Sequence, residues 1–245
     1  MNLQDKVAVV TGASGGLGRE IAVALGRSGV RVGLVARSKE GLEKTKQLIG
    51  DPRTQIWCTD LRDESAITKL AESVKTDFES IDFLVNAAGV WHDEKTKYHG
   101  PPLWETPVER IHQVLEVGVR APLLLTRLIL PGMLNRRAGK ILQISAAFAG
   151  PQDGVGWVHY YVANQGMDAF TAALAAELRE FNIQVNCIAP VFVATEAVQQ
   201  FYPKELLPKA LQPRDVAEIA MFLLSSAADH ISGQVIAVRS RRDHD

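Results

Sequence analysis

A helical phenol followed four residues later by a cation is an acid/base device, because positions i and i+4 share one helix face and the positive field stabilises the phenolate. The run HYYVANQGMDAF offers this arrangement with the cation missing: Tyr161 is followed at i+4 by Gln165. Glutamine still hydrogen-bonds but carries no charge. An unassisted phenol titrates near pH 10, and losing about three units of depression raises the free energy of its phenolate by about 4 kcal/mol. Tyr161 is therefore expected to stay protonated near neutrality. It suits proton donation and is in the wrong form to act as a general base. Tyr160 competes for the role, but on a helix it faces about 100° away and has Asn164 at its own i+4 position. Ser145, at the end of an apolar run, is the other candidate hydroxyl.

These residues need a scaffold, and the chain supplies a regular one. Short Val- and Ile-rich runs alternate with segments of helical period, the pattern of βα units around a parallel sheet. The expected strands are 6–11, 30–36, 54–59, 83–87, 140–145, 183–189 and 234–238. The expected helices are 18–26, 39–49, 64–78, 108–134, 160–181 and 215–225, with Asp63 as one N-cap. Together they make a single α/β domain over 1–245, a doubly wound parallel sheet of Rossmann type with helices on both faces. The non-periodic stretches 91–104, 146–159 and 195–213 all follow strand ends, where such a sheet places its ligand crevice.

The first strand runs into TGASGGLG, whose Gly12, Gly16 and Gly18 let the backbone turn tightly and approach a pyrophosphate at a helix N-terminus, beside Ser14 and Leu17. The second strand ends in Ala36, Arg37 and Ser38 where readers of a free ribose hydroxyl carry an acid. A cation beside small residues suits a 2′-phosphate, so NADP(H) is favoured over NAD(H).

With these motifs the chain resembles the short-chain dehydrogenase/reductase family along nearly its whole length. TGASGGLG is similar to the family's TGxxxGxG turn, Asp60 with Leu61 to its adenine-contacting pair, and Asn86, Ala87, Ala88 and Gly89 to its NAAG motif. The segment 186–195, NCIAPVFVAT, resembles NxxxPGxxxT, and implies cofactor contacts from Pro190, Val193 and Thr195. The family works with an Asn, Ser, Tyr and Lys tetrad. Alignment of its YxxxK helix puts Tyr161 at the acid/base position and Gln165 at the lysine that also holds the cofactor ribose. Ala146 falls at the serine, with Ser145 one residue early and expected to point away from the cleft unless the strand bulges. Gly118 falls at the asparagine, whose main-chain carbonyl glycine retains, and Val191 replaces a glycine on the cofactor-side loop.

Composition sets the outer bounds. A net charge of -1 from 27 basic and 28 acidic residues gives no footprint for a polyanion, so no nucleic-acid partner is expected. Cys58 and Cys187 lack metal-ligand spacing and suit core packing in a reducing compartment. No signal peptide is apparent, and no stretch reaches the roughly 18 consecutive apolar residues of a membrane span, so a cytosolic protein without membrane association is expected.

Three functions are consistent with a retained nucleotide motif and a rebuilt tetrad. The first is an NADPH-dependent reductase of a bulky carbonyl. The second is a non-redox cyclase, isomerase or lyase using Tyr161 with His159 or Asp153. The third is a silent subunit that pairs with an active relative. Trp91, His92, Tyr98, His99, Trp104, Trp157, Phe192, Phe201 and Tyr202 crowd the expected pocket walls and favour a bulky or aromatic small-molecule substrate. From the resemblance, helices 108–134 and 160–181 are expected to pair subunits into a homodimer or homotetramer.

Overall fold

Continuous runs such as VAVVT and IQVNCIAP mark strands covered on both faces, since a half-exposed strand would alternate polar and apolar residues. The computed structural model describes residues 3–91, 100–148 and 155–240, and bears this out. Strands β1 (Val7–Thr11), β2 (Arg31–Ala36), β3 (Gln55–Cys58), β4 (Phe83–Asn86), β5 (Gly139–Ile144), β6 (Ile183–Pro190) and β7 (Val235–Val238) form one seven-stranded sheet among the described residues. All neighbours pair parallel in the order β3-β2-β1-β4-β5-β6-β7. The order reverses direction between β1 and β4, which opens a crevice at the strand C-termini.

Successive strand residues feed opposite layers. Val10, Leu34, Leu142 and Ile188 join one buried cluster with helices α1 (Gly16–Arg27) and α8 (Pro213–Leu224). Val9, Val35, Ile141 and Val185 join the other with α3 (Glu64–Asp77), α5 (Ala121–Arg136) and α6 (Val158–Leu178). The remaining helices are α2 (Lys39–Ile49), α4 (Val108–Leu115) and the short α7 (Glu196–Phe201). Asp63 caps α3 as expected, its Oδ1 accepting from the Ser65 and Ala66 amides at 2.8 and 3.3 Å.

Two departures from the sequence reading bear on the site. The helix expected over 108–134 is interrupted by a π-turn, Glu116–Arg120, centred on Gly118, so α4 and α5 are two rods with a change of phase. The loop 195–213 also contains α7, too short to leave a periodic signal, started by Thr195 whose Oγ1 accepts from the Val198 amide at 3.3 Å. The run 108–136 meets the length and composition of a membrane span, although Glu116, Arg120 and Arg127 interrupt its apolar sequence. Here Leu125, Ile129 and Met133 are buried in the α3 side of the fold.

Candidate active site

The crevice is a cleft of about 1140 Å³ that runs from the end of β3 to the loops around α7. Its floor is built on backbone that only glycine supports. Gly12 has φ +68°, and a Cβ there would lie 2.7 Å from the Ala87 carbonyl oxygen; one on Gly18 would lie 2.4 Å from the Gly12 oxygen. Thr11 locks the two turns together, its Oγ1 accepting from both the Ala87 and Ala88 amides at 3.1 Å. Toward the cleft the same backbone is open. A Cβ on Gly89 would meet nothing within 4 Å, and the nearest atoms to one on Gly15 or Gly16 are side chains 3.4 and 3.6 Å away. Such a cradle at the start of α1 fits a pyrophosphate.

Every sequence-assigned cofactor residue borders this cleft except two: Gly12, Ser14, Gly16, Leu17, Gly18, Arg37, Ser38, Asp60, Leu61, Ala87, Gly89, Pro190, Val193 and Thr195 all line it. Asn86 does not. It is the last residue of β4, 2% exposed, and donates through Nδ2 to Thr126 Oγ1 on α5 at 3.3 Å. Gln165 does not either; it is exposed and donates through Nε2 to Asp168 Oδ2 at 3.0 Å. At the adenosine end, Asp60 is engaged by Arg62 Nε at 3.0 Å, a hydrogen bond that holds its carboxyl below the usual range. The Ser38 hydroxyl accepts from the Gly41 amide at 3.1 Å and so caps α2. Val191 has no positive φ, and its amide donates to the Val238 carbonyl at 3.0 Å, so the β-branched residue is accommodated by β7.

The chemical end requires a correction. Tyr160, not Tyr161, lines the cleft, together with Ala163, Asn164 and Met167 of the same α6 face. Tyr161 lies one helical step round, outside the lining, with its ring against Phe148 at a centroid distance of 4.1 Å. Tyr160 is packed between Trp157 and Phe148 at 6.0 and 6.2 Å. Burial pushes its phenol above the usual value, and a side-chain hydrogen bond from Asn164 opposes that shift. Asn164 Nδ2 also donates to the Tyr160 carbonyl at 2.8 Å. The sequence carried a signal for this phase: Tyr160, Asn164, Met167, Thr171, Leu174 and Leu178 recur at helical spacing, and all but Tyr160 are buried.

Ser145 borders the cleft, but its hydroxyl is turned beneath α6. It is 5% exposed, donates to Asp168 Oδ1 at 2.7 Å and accepts from Cys187 Sγ at 3.2 Å. Burial pushes the Asp168 carboxyl up, against hydrogen bonds from Ser145, Cys187 and Gln165. The Cys187 thiol is pushed up to about 12 by burial and is inert near neutrality. Ala146, which also borders the cleft, has no hydroxyl to offer.

The aromatic wall is real but redistributed. Trp91, Phe148, Trp157, Phe192 and Tyr202 line the cleft, with Trp91 5.6 Å from Tyr202 and 6.4 Å from Trp157. Phe201 backs Trp91 at 6.3 Å from outside the lining. Trp104 is 83% exposed and no part of the wall. His159 is buried outside the lining, where its Nε2 accepts from Arg110 Nε at 3.3 Å. His92, Tyr98, His99 and Asp153 lie outside the described residues.

A family model described as short chain dehydrogenase matches residues 6–206. The chain belongs to the short-chain dehydrogenase/reductase family. It is 33% identical over 244 residues to nodulation protein G of Rhizobium sp. (strain N33), covering 96% of each chain. It is 32% identical over 249 residues to the 3-oxoacyl-[acyl-carrier-protein] reductase of Aquifex aeolicus (strain VF5), covering 97% of each. A solved 3-ketoacyl-(acyl-carrier-protein) reductase from Brucella melitensis, complexed with NADH, superposes with a TM-score of 0.88 at 28% identity, over 98% of this chain and 99% of that one. The family's oxidoreductases use nicotinamide cofactors, and the open glycine cradle suits one.

Proposed function

We propose that this family member is an NADP(H)-dependent carbonyl reductase in which Tyr160 is the proton donor. The observation that carries the reading is a half-buried phenol, its pKa pushed up by desolvation, in the aromatic end of a cleft whose other end is a glycine cradle. When bound, the reduced cofactor supplies the hydride for the carbonyl carbon. Tyr160 Oη donates its proton to the carbonyl oxygen as negative charge develops there, and Asn164 stabilises the phenolate left behind by hydrogen bonding rather than by charge. Because both burial and the absence of a lysine disfavour the phenolate, reduction is the supported direction. Ala36 and Arg37 at the end of β2 support NADP(H) over NAD(H): no acid stands there to meet a free ribose hydroxyl, and a guanidinium suits a 2′-phosphate. The Trp91, Trp157 and Tyr202 wall supports a bulky, largely apolar substrate, 3-oxoacyl thioesters being one class to include.

The test is NADPH binding followed by NADPH consumption with bulky ketones and 3-oxoacyl thioesters. Tyr160→Phe is expected to lower kcat about 100-fold or more, the usual worth of a positioned acid, while leaving NADPH affinity within about twofold. Substrate conversion at constant NADPH would move the reading to a non-redox enzyme. Turnover only in the presence of a co-expressed relative would move it to a silent subunit.

A further inference from the structure

One charged contact on the cleft rim is left unused by this chemistry. Arg19 of α1 is mostly buried and strapped beneath the glycine turn: Nε donates to Thr45 Oγ1 at 3.1 Å, Nη2 donates to the Ser14 carbonyl, and Thr45 itself donates to the Ala13 carbonyl at 2.7 Å. Its remaining arm, Nη1, meets Glu196 Oε1 at 2.5 Å. Glu196 is of opposite character. It is the first residue of α7, its side chain is 64% exposed, and nothing but Arg19 is seen to hold its carboxylate among the described residues. Its other oxygen lies 3.4 Å from where a Cβ on Gly15 would be. A carboxylate from the β6–α7 wall thus reaches across the cleft to the cradle that the α1 amides form, where a pyrophosphate would bring two further negative charges. The fixed partner is the cation; the movable one is the acid.

We propose that Glu196 is a displaceable strap across the pyrophosphate subsite: its carboxylate occupies Arg19 and the cradle rim in the absence of dinucleotide, and must withdraw when the pyrophosphate enters. Glu196 therefore weakens dinucleotide binding and speeds dinucleotide release. The inference rests on the reading of this cleft as a dinucleotide site. Glu196→Gln keeps the length of the side chain and removes its charge, and α7 keeps its cap because Thr195, not Glu196, supplies it. Fluorescence titration of the variant is expected to show an NADPH Kd lower by about 2- to 5-fold, the scale of a partly exposed charge contact, with slower NADPH dissociation in stopped flow. Adenosine 2′-monophosphate, which reaches Arg37 but carries no pyrophosphate, should bind both proteins equally. An unchanged or weaker NADPH affinity in the variant, or an equal gain for the monophosphate, would overturn the strap alone. Failure of both proteins to bind NADPH would overturn the cofactor reading and the strap together.

Discussion

The two ends of the cleft are built by different rules. At the nucleotide end the constraint is on the backbone: Gly12 and Gly18 leave no room for a Cβ, and Thr11 pins the β1 and β4 turns to each other. At the chemical end the constraint is on side chains, and there amides and apolar surface stand in place of charge, with Asn164 beside Tyr160 and Ala146 two residues beyond β5. On the proposed function, nucleotide affinity and proton transfer are therefore separable in this chain. One depends on a shape that few substitutions preserve. The other depends on a phenol whose pKa its neighbours adjust.

Substitutions at the nucleotide end should be the more disruptive, beginning with the fold. Gly18→Ala forces a Cβ to within 2.4 Å of the Gly12 oxygen, and a loss of about 2–3 kcal/mol in chemical denaturation is expected, with NADPH binding abolished. A variant as stable as wild type would show that the turn is not rigid. At the chemical end, Tyr160→Phe should remove turnover while Tyr161→Phe changes kcat by less than about threefold. Equal losses in the two would erase the helix phase on which the comparison stands. Arg37→Ala should weaken NADPH about 10-fold or more, as for a lost charge-assisted contact, and leave NADH unaffected. Loss of both would mean that Arg37 shapes the site rather than reads the 2′-phosphate.

Asn164→Lys sharpens the contrast further, by restoring a cation next to a phenol that burial now pushes up. The added charge favours the phenolate, so alcohol oxidation should emerge and its pH profile should start at lower pH than any wild-type activity in that direction. No change would mark the asparagine as tuned to this substrate. The smallest effect concerns His159, which burial and the neighbouring Arg110 hold below its ordinary 6.5. A histidine depressed in the folded state resists protonation there while the unfolded chain accepts it. Its contribution is fully present above the unfolded value and is lost as pH falls below 6.5 toward the folded value. Thermal melts of His159→Gln should accordingly fall less steeply with pH over that window than those of wild type.

Much of this was legible in the sequence. The seven strands of a parallel sheet followed from βα alternation, and the glycine turn, Arg37 and Asp60 from their places at strand ends, because those residues are fixed by backbone geometry within a few positions of themselves. The chemical end was not, for a reason visible in HYYVANQ: two adjacent tyrosines each have an amide four residues on. Only the buried face running through Met167, Thr171 and Leu178 decides between them, and that face is set by packing that extends to Leu178 at the far end of the helix. Ser145 shows the complementary case. It borders the cleft, and the partner that accepts its hydroxyl proton, Asp168, lies 23 residues away on another element. The Arg19–Glu196 contact spans 177 residues and left no local trace at all.

The π-turn at Glu116–Arg120 has a consequence for insertions and deletions. Such a turn holds one residue more than the α-helical path it replaces, so it works as a phase shifter between two rods that would otherwise be one. Upstream of it α4 presents Arg110 and Val114 inward; downstream α5 presents Leu125, Ile129 and Met133 toward the α3 side of the sheet. Straightening the turn with all its residues kept would rotate one rod by about 100° against the other, so that either set of anchors would swing toward solvent, whereas deleting Gly118 would remove the extra residue and the wide turn together and leave the rods in phase. The local irregularity is what allows a single stretch of chain to address two different neighbours.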